Sequence, residues 1–257
     1  MKTVLITGCS SGFGLETTSY FLQQGWKVIA TMRTPRPDLL PVSEHLRVLP
    51  LDITDPSSIQ HLIEQVGPID VLVNNAGIGA LNALEGTSMK VVRETFETNT
   101  FGTLAMMQAV LPQFRARKAG IIINISSSVT LTALPLIAAY TASKVALNAL
   151  SESLAQELKP FNVRVHLILP GRSPQTRFGE NSRSRMEAIP QAYSELAQQV
   201  FQEWAQSSAP MTEVSDVVAA IWRAATDAHC PAYLAAGADA QVLVEQAAER
   251  IALARAL

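Results

Sequence analysis

A glycine-rich turn near the N-terminus restricts the fold of this chain more than any other feature. It lies between a short apolar run, Thr3–Ile6, and a helical pattern that continues to Gln24. A second apolar run begins at Lys27. Strand, tight turn, helix and strand in this order predict a βαβ unit, in which both strands belong to one parallel sheet.

The same alternation continues along the chain. Further strands are predicted at residues 46–51, 71–73, 121–125, 163–169 and 233–234. Helices are predicted at residues 56–66, 90–117, 138–158, 213–228 and 242–256. Near-continuous apolar strands separated by helices are typical of an α/β fold, a doubly wound parallel sheet with helices on both faces. No shift in composition marks a boundary, so residues 1–257 are predicted to form a single domain, with a helical flap over the strand ends at about 178–209.

The turn itself has the features of a site for a dinucleotide pyrophosphate. Such a turn must reverse tightly, let its backbone approach the anion and point the free N–H groups of the next helix at it. Gly8, Gly12 and Gly14 leave space where side chains would otherwise stand. Their spacing, G-x-x-x-G-x-G, differs from the G-x-G-x-x-G fingerprint. The position at the first strand–helix junction nevertheless predicts a dinucleotide site.

The end of the second strand distinguishes between the two nicotinamide dinucleotides. An acidic residue that binds the ribose is expected there, about 20 residues past the glycines. The chain instead has Arg33, and its first acid after this strand is Asp38. An arginine suits a 2′-phosphate, and Ser10 and Ser11 add hydroxyl donors. NADP(H) is therefore favoured over NAD(H), with a solvated loop arginine as the structural alternative.

Composition and charge exclude several classes of protein. Hydrophobic residues make up 48% of the 257 residues and charged residues 16%, which indicates a compact globular protein. A net charge of −2 gives no basis for a nucleic-acid partner. Two cysteines, Cys9 and Cys230, are too few for a disulfide framework. No signal peptide or membrane span is recognisable, so the sequence predicts a soluble cytoplasmic protein without a membrane partner or a metal site.

A serine and a Tyr–Lys pair form the candidate catalytic group. Ser127 follows the strand predicted at 121–125 and precedes Tyr140 by thirteen residues. Tyr140 and Lys144 are four apart on a predicted helix and so share one face. The serine hydroxyl can hold a carbonyl oxygen and the phenol can donate a proton, with the ammonium lowering a tyrosine pKa that is ordinarily about 10. The alternative is a half-buried aromatic beside a surface lysine.

Taken together, these motifs resemble the short-chain dehydrogenase/reductase family from residue 1 to about 240. The motifs occur in the family's order and spacing, and they are Thr7-Gly8-x-x-x-Gly12-x-Gly14, Asp52, Asn74-Asn75-Ala76-Gly77, Asn99, Ser127, Tyr140-x-x-x-Lys144 and Pro170-Gly171. Three stretches are similar to NADP-preferring members, the 17β-hydroxysteroid and retinol dehydrogenases and carbonyl reductases, and these are Cys9 to Gly12, Ala30 to Arg33 and Ala235 to Ala240.

The resemblance implies a Rossmann-type fold and a defined set of site residues. The implied catalytic residues are Asn99, which would complete a proton relay through water, and Ser127, Tyr140 and Lys144. The implied cofactor-binding residues are Gly8, Ser10, Ser11, Gly12, Phe13, Gly14, Arg33, Asp52, Ile53, Asn75, Ala76, Gly77, Tyr140, Lys144, Pro170 and Gly171. The implied activity is hydride transfer between NADP(H) and an apolar ketone or aldehyde, with Leu131, Leu134, Ile137 and Phe178 as candidate apolar contacts for this small substrate.

Two other functions remain open at this point. One is reduction of 3-oxoacyl groups on a carrier protein, for which Arg115, Arg117 and Lys118 offer a small basic surface. The other is a non-catalytic module that senses NADP(H). The resemblance further implies a homodimer or homotetramer formed through the long helices after the fourth and fifth strands.

One stretch departs from the family pattern. Arg172 to Gln175 separate Pro170-Gly171 from Thr176, which is one residue more than usual. The assignment of Thr176 to the cofactor site therefore depends on how this stretch folds.

Overall fold

The computed structural model describes residues 1–207 and 210–255. Residues 208 and 209, at the end of the predicted flap, lie outside these ranges, as does Ala256, the predicted end of the last helix.

Seven parallel strands form one sheet in the order β3-β2-β1-β4-β5-β6-β7. The strands are β1 Thr3–Ile6, β2 Lys27–Met32, β3 Leu46–Pro50, β4 Val71–Asn74, β5 Gly120–Ile125, β6 Val163–Pro170 and β7 Tyr233–Ala236. The predicted doubly wound parallel sheet is thereby confirmed. The strand order reverses between β1 and β4, and a crevice at the carboxyl ends of strands at such a point is where ligands of open α/β sheets bind.

Helices cover both faces of this sheet. They are α1 Gly12–Gln23, α2 Pro56–Val66, α3 Met89–Phe96, α4 Thr103–Arg117, α5 Ala138–Leu158, α6 Phe178–Arg183, α7 Ser194–Gln206, α8 Val214–Thr226 and α9 Ala238–Arg255. The helix predicted at 242–256 begins four residues earlier, after Gly237, whose φ of +99° turns the chain out of β7.

Two apolar cores lie on opposite faces of the sheet. Alternate residues of a strand point to opposite faces, so Val4 and Ile6 belong to one core and Leu5 to the other. The first core is closed by α1 and α8, where Phe21 packs edge-on against Trp222 with ring centres 5.1 Å apart. The second is closed by α2, α4 and α5. Burial on both faces explains why the strands are almost continuously apolar.

The stretch predicted as one helix at 90–117 is helical throughout, but it is not a uniform α-helix. It is divided into α3 and α4 by a wider, π-helical turn over Glu97–Gly102. The turn packs closely against the segment after β3, where a Cβ on Gly102 would lie only 2.8 Å from the carbonyl oxygen of Ile53. Asn99 lies inside the turn and is fully buried. A helical sequence pattern does not show such a turn, because the turn depends on contacts with distant segments.

A small satellite core lies under α7. Ala197 and Val200 of this helix pack on Leu81, Ala83 and Leu136, which belong to the loops that follow β4 and β5. The segment from α6 to α7 therefore lies over the strand ends on the side of the Tyr140 helix.

Candidate active site

The glycine-rich turn forms a cradle at the carboxyl end of β1. Gly8 and Gly12 have φ values of +74° and +56°, which side chains disfavour. A Cβ on Gly8 would lie 2.8 Å from Ala76 Cα, and one on Gly14 would overlap the Gly8 carbonyl. Helix α1 begins after Ser11 without a side-chain cap or an acidic residue in its first turn. The N–H groups at this helix start and the space above the glycines fit a pyrophosphate.

Asn75 and Thr7 hold this cradle in shape. The Asn75 Nδ2 donates to the carbonyls of Thr7 at 2.9 Å and Gly8 at 3.0 Å. The Thr7 Oγ1 accepts from the backbone N–H groups of Asn75 and Ala76, each at 3.0 Å. The loop after β4 is thus joined to the turn after β1.

Arg33 follows β2, and Asp52 follows the neighbouring strand β3. The Asp52 carboxylate accepts from the backbone N–H of Thr54 at 2.9 Å and from its hydroxyl at 2.7 Å. Partial burial acts to raise the pKa of Asp52, but these bonds and the charge of Arg33 outweigh it and lower the pKa. Arg33 is exposed, and its neighbour Arg36 pairs instead with Asp38 at 2.7 Å. An exposed guanidinium at this end of the cradle fits a phosphate on the adenosine ribose.

The candidate catalytic side chains meet at the carboxyl end of β5. Ser127 follows that strand, Tyr140 and Lys144 lie on the first turns of α5, and each is less than a tenth exposed. Ser127 is a side-chain hydrogen-bond partner of the Tyr140 hydroxyl. The Lys144 Nζ donates to the carbonyl of Ile125 at 2.8 Å. The serine, phenol and ammonium predicted to act together are therefore brought to one place.

The predicted direction of the Tyr140 pKa shift is wrong. Burial raises the pKa of Tyr140 to about 12, and the hydrogen bond with Ser127 offsets only part of this. Burial also lowers the pKa of Lys144 to about 8. The physical reason is shared, since loss of water disfavours the charged form of both groups.

Both the oxygen and the nitrogen of the Asn99 side-chain amide form hydrogen bonds beside the catalytic group. Its Oδ1 accepts from the N–H of Ile78 at 2.8 Å, and its Nδ2 donates to the carbonyl of Ile78 at 2.8 Å and to Ser143 Oγ at 3.0 Å. The Ser143 hydroxyl donates to the Tyr140 carbonyl at 2.7 Å. These bonds join the loop after β4 to the helix that carries Tyr140. The proton relay through Asn99 stays a prediction, and the contribution of Ser143 was not foreseen.

The longer stretch after Pro170-Gly171 still reaches the glycine-rich turn. It folds into a turn in which the Thr176 N–H and hydroxyl donate to the Ser173 carbonyl at 3.2 and 2.9 Å. The Thr176 side chain then lies 3.3 Å from the position of a Cβ on Gly12. The extra residue is absorbed in the turn, so Thr176 covers the cradle.

Two residues missed in the sequence hold the start of this stretch. The Gly171 N–H donates to Thr212 Oγ1 at 2.8 Å, and the Arg172 N–H donates to Asp239 Oδ2 at 2.7 Å. The signal available was the Ala235–Ala240 stretch, which contains Asp239.

Three of the four predicted apolar contacts divide into two groups. The ring of Phe178 lies 5.5 Å from that of Tyr140, and Phe178 and Leu134 are both exposed. Ile137 instead packs with the satellite core under α7. Phe178 therefore lies where it can contact a substrate held by Tyr140.

The described part of the chain contains neither a membrane-spanning helix nor a metal-binding cluster. None of its helices is both long and apolar enough to cross a bilayer. No group of three or more His, Cys, Asp or Glu side chains within residues 1–207 and 210–255 is arranged to hold a metal ion.

Known proteins resemble this chain in sequence and in structure. A 3-ketodihydrosphingosine reductase from Bacteroides thetaiotaomicron is 41% identical over 66% of this chain, a match that spans only 63% of that reductase. The oxidoreductase YusZ from Bacillus subtilis is 36% identical over 89% of this chain and 86% of its own length. A short chain dehydrogenase from Burkholderia cenocepacia J2315, solved in complex with NADP, is 29% identical with a TM-score of 0.78, over 100% of this chain and 99% of that one.

The family model described as short chain dehydrogenase matches residues 2–187. This match includes the glycine-rich turn and the Ser127, Tyr140 and Lys144 group. The chain belongs to the short-chain dehydrogenase family.

Proposed function

We propose that this chain is an NADPH-dependent carbonyl reductase, which transfers hydride between NADP(H) and the carbonyl carbon of an apolar ketone or aldehyde. The observation that carries the proposal is the convergence of Ser127, Tyr140 and buried Lys144 at the carboxyl end of the sheet, where the glycine cradle also lies. The reductase from B. thetaiotaomicron and the oxidoreductase from B. subtilis support it by their similarity.

The protein's own residues account for binding and proton transfer. When bound, NADPH supplies the hydride. Ser127 holds the carbonyl oxygen of the substrate, and Tyr140 donates a proton to that oxygen as negative charge develops on it. A phenol with a pKa of about 12 is fully protonated at neutral pH, which suits an acid in the reductive direction. Lys144 places a positive charge beside this group.

The preference for NADP(H) over NAD(H) rests on Arg33. No acidic side chain follows β2 until Asp38, which is paired with Arg36. The B. cenocepacia relative was solved with NADP, which supports the same cofactor here. We expect a higher kcat/KM with NADPH than with NADH. Arg33→Ala should reduce this preference, the kcat/KM for NADPH divided by that for NADH, about tenfold or more. Better turnover with NADH than with NADPH would refute the preference.

Turnover of the purified protein tests the proposed reaction. NADPH oxidation is followed with aryl ketones, aliphatic aldehydes, steroids and 3-oxoesters. Tyr140→Phe should lower kcat at least 100-fold, because it removes the acid. It should leave NADPH affinity nearly unchanged. Tyr20→Phe, at a tyrosine that packs on Trp222 away from the site, is the matched control and should keep full activity.

Two outcomes of this assay separate the alternatives. Full activity in Tyr140→Phe would refute the proposed mechanism. Tight NADPH binding without turnover of any substrate would favour the non-catalytic NADP(H)-sensing module. The carrier-protein alternative is weakened by Arg117, because its guanidinium donates to the Ile69 carbonyl and lies 3.7 Å from Asp70.

The segment from α6 to residue 206 is the proposed substrate flap. Phe178 at its start touches the Tyr140 ring, and α7 rests on the loops after β4 and β5. A bound substrate would lie between this flap and Tyr140.

A further inference from the structure

A cluster at the carboxyl end of β6 joins three separate segments of the chain. It consists of Gly171, Thr212 and Asp239, and we name it the Asp239 clamp. Gly171 follows β6, Thr212 precedes α8, and Asp239 lies in the first turn of α9. The catalytic group of the proposed function makes no use of it.

Asp239 and Thr212 form hydrogen bonds with the backbone of Gly171 and Arg172. Asp239 Oδ2 accepts from the Arg172 N–H at 2.7 Å, and its Oδ1 lies 2.7 Å from Thr212 Oγ1. Thr212 Oγ1 accepts from the Gly171 N–H at 2.8 Å, and the Thr212 N–H donates to the Arg172 carbonyl at 2.9 Å. Thr212 is 1% exposed. Two successive N–H groups after β6 are thus bound by side chains from distant segments.

The clamp is packed so closely that it requires two glycines. A Cβ on Gly171 would overlap the Asp239 carboxylate, and one on Gly237 would lie 2.7 Å from Thr212 Cα. Gly237 also has a φ of +99°, which a side chain disfavours. The Gly171 backbone is therefore in close contact with the Asp239 carboxylate.

The clamp lies at one end of residues 171–176, and the cofactor cradle lies at the other. This segment is bound at one end by Asp239 and Thr212, and at the other end Thr176 contacts the Gly12 position. Helix α9, which carries Asp239 in its first turn, also packs on the turn Ser128–Leu131 that follows Ser127. The same helix is therefore connected to both the cradle and the catalytic serine loop.

We propose that Asp239 is a positioning residue of the cofactor site, which holds residues 171–176 in the conformation that receives NADP(H). The proposal depends on the proposed function only for the identity of the ligand. Because a pre-formed segment spares the ligand the cost of ordering it, loss of the clamp should weaken binding more than it slows the chemical step.

The first test uses variants that alter one side-chain group each. Asp239→Asn replaces an acceptor oxygen by a donor, and Thr212→Val removes the hydroxyl. In each, we expect the Kd for NADPH, measured by its fluorescence, to rise about tenfold, while kcat falls less than KM for NADPH rises. Thr212→Ser keeps the hydroxyl and should restore affinity to within about twofold of wild type. Asp216→Asn, at a carboxylate that accepts from the Glu213 N–H, is the matched control.

Amide hydrogen exchange provides a readout that does not need the cofactor. Without NADPH, the amides of residues 171–176 should exchange about tenfold faster in Asp239→Asn than in wild type or Asp216→Asn. Equal exchange rates, or unchanged affinity in folded Asp239→Asn and Thr212→Val, would overturn the positioning role. If the wild-type protein binds no NADPH, the proposed function fails. The exchange rates alone then show whether the Asp239 clamp holds residues 171–176 in place.

A double-mutant cycle tests the close approach directly. Gly171→Ala should weaken NADPH binding because its new methyl group displaces the Asp239 carboxylate. In the Asp239→Ala background that carboxylate is absent, so Gly171→Ala should cause at most about a twofold further loss. Effects of equal size in both backgrounds would show that the two positions act independently and would contradict the clamp.

Discussion

Tyr140 and Lys144 lie in one dry environment, and burial favours the neutral form of each. The pKa of Tyr140 rises to about 12 and that of Lys144 falls to about 8. At neutral pH the phenol therefore carries its proton, while Lys144 loses its charge not far above neutrality.

The pH dependence of cofactor use should report Lys144. Below about pH 8 Lys144 is charged, and above it the charge beside the cofactor site is lost. We expect kcat/KM for NADPH, which reflects the free enzyme, to decline as pH rises through about 8. Tyr140 keeps its proton over this range and should cause no decline of its own. A flat profile between about pH 7 and 9.5 would contradict this assignment. Lys2→Met, remote from the site above Trp26, should retain the decline.

His166 makes the stability of the fold sensitive to acid. It is buried on β6, its Nδ1 contacts the Pro231 carbonyl at 2.8 Å, and burial lowers its pKa below the ordinary value. As pH falls below about 6.5 the unfolded chain takes up a proton that the folded chain resists, so the folded state loses stability.

Chemical unfolding at two pH values measures this effect. Between pH 7.5 and 5.5 the free energy of unfolding should fall by a fraction of the ~1.4 kcal/mol per pH unit that one full proton would give. His166→Gln should remove that part of the dependence, and His61→Gln, at an exposed histidine of α2, serves as control. A wild-type slope identical to that of His166→Gln would disprove the role of His166.

At the scale of elements, the helical flap is attached to the body by polar contacts as well as by its satellite core. The Asn82 Nδ2 lies 3.0 Å from the Gly86 carbonyl and 3.2 Å from the Glu187 carbonyl. The Glu187 carboxylate accepts from the Ser88 N–H at 2.7 Å, and the Tyr193 hydroxyl donates to Glu85 at 2.8 Å. These bonds connect the stretch between α6 and α7 to the loop that follows β4.

Loosening this attachment should affect the carbonyl substrate more than the cofactor. Asn82→Ala removes the bonds to Gly86 and Glu187, and we expect KM for the carbonyl substrate to rise about tenfold with NADPH affinity unchanged. Gln199→Ala removes an exposed bond to Glu203 within α7 and is the matched control. An equal change in both binding constants, or no change in either, would show that the flap does not hold the substrate.

At the scale of the whole molecule, the outer surface of α4 and α5 has both apolar and polar side chains. Leu111, Leu154 and Phe161 line a groove between these helices. Val145 of α5 is 46% exposed and Phe101, just before α4, is 52% exposed. These are the helices after β4 and β5 through which the family resemblance implies assembly.

Light scattering coupled to size exclusion tests that assembly. We expect a homodimer or homotetramer for the native chain. Val145→Glu, which places a charge on the outer surface of α5, should shift the population toward monomer without changing the circular dichroism spectrum. A monomeric native chain would contradict the expectation.

Local patterns in the sequence predicted most of the fold, because strand and helix periodicities follow directly from which faces are buried. Spacing along the chain is visible without coordinates. It indicated the glycine-rich turn, the doubly wound parallel sheet and the convergence of Ser127, Tyr140 and Lys144. The π-helical turn at Asn99 was not predictable, since it is accompanied by hydrogen bonds from Asn99 to Ile78 and Ser143 across the fold.

Tertiary structure alone decided the electrostatics and the long-range contacts. The neighbouring Lys144 predicted a lowered Tyr140 pKa, but the pKa depends on how much water burial removes, and sequence spacing does not report burial. Asp239 is 67 residues from Arg172, so their bond exists only once β6, β7 and α9 are assembled. The sequence by itself determined which chemical groups meet at the carboxyl end of the sheet. The packing of distant segments determined the charge of these groups and the hydrogen bonds that hold them in place.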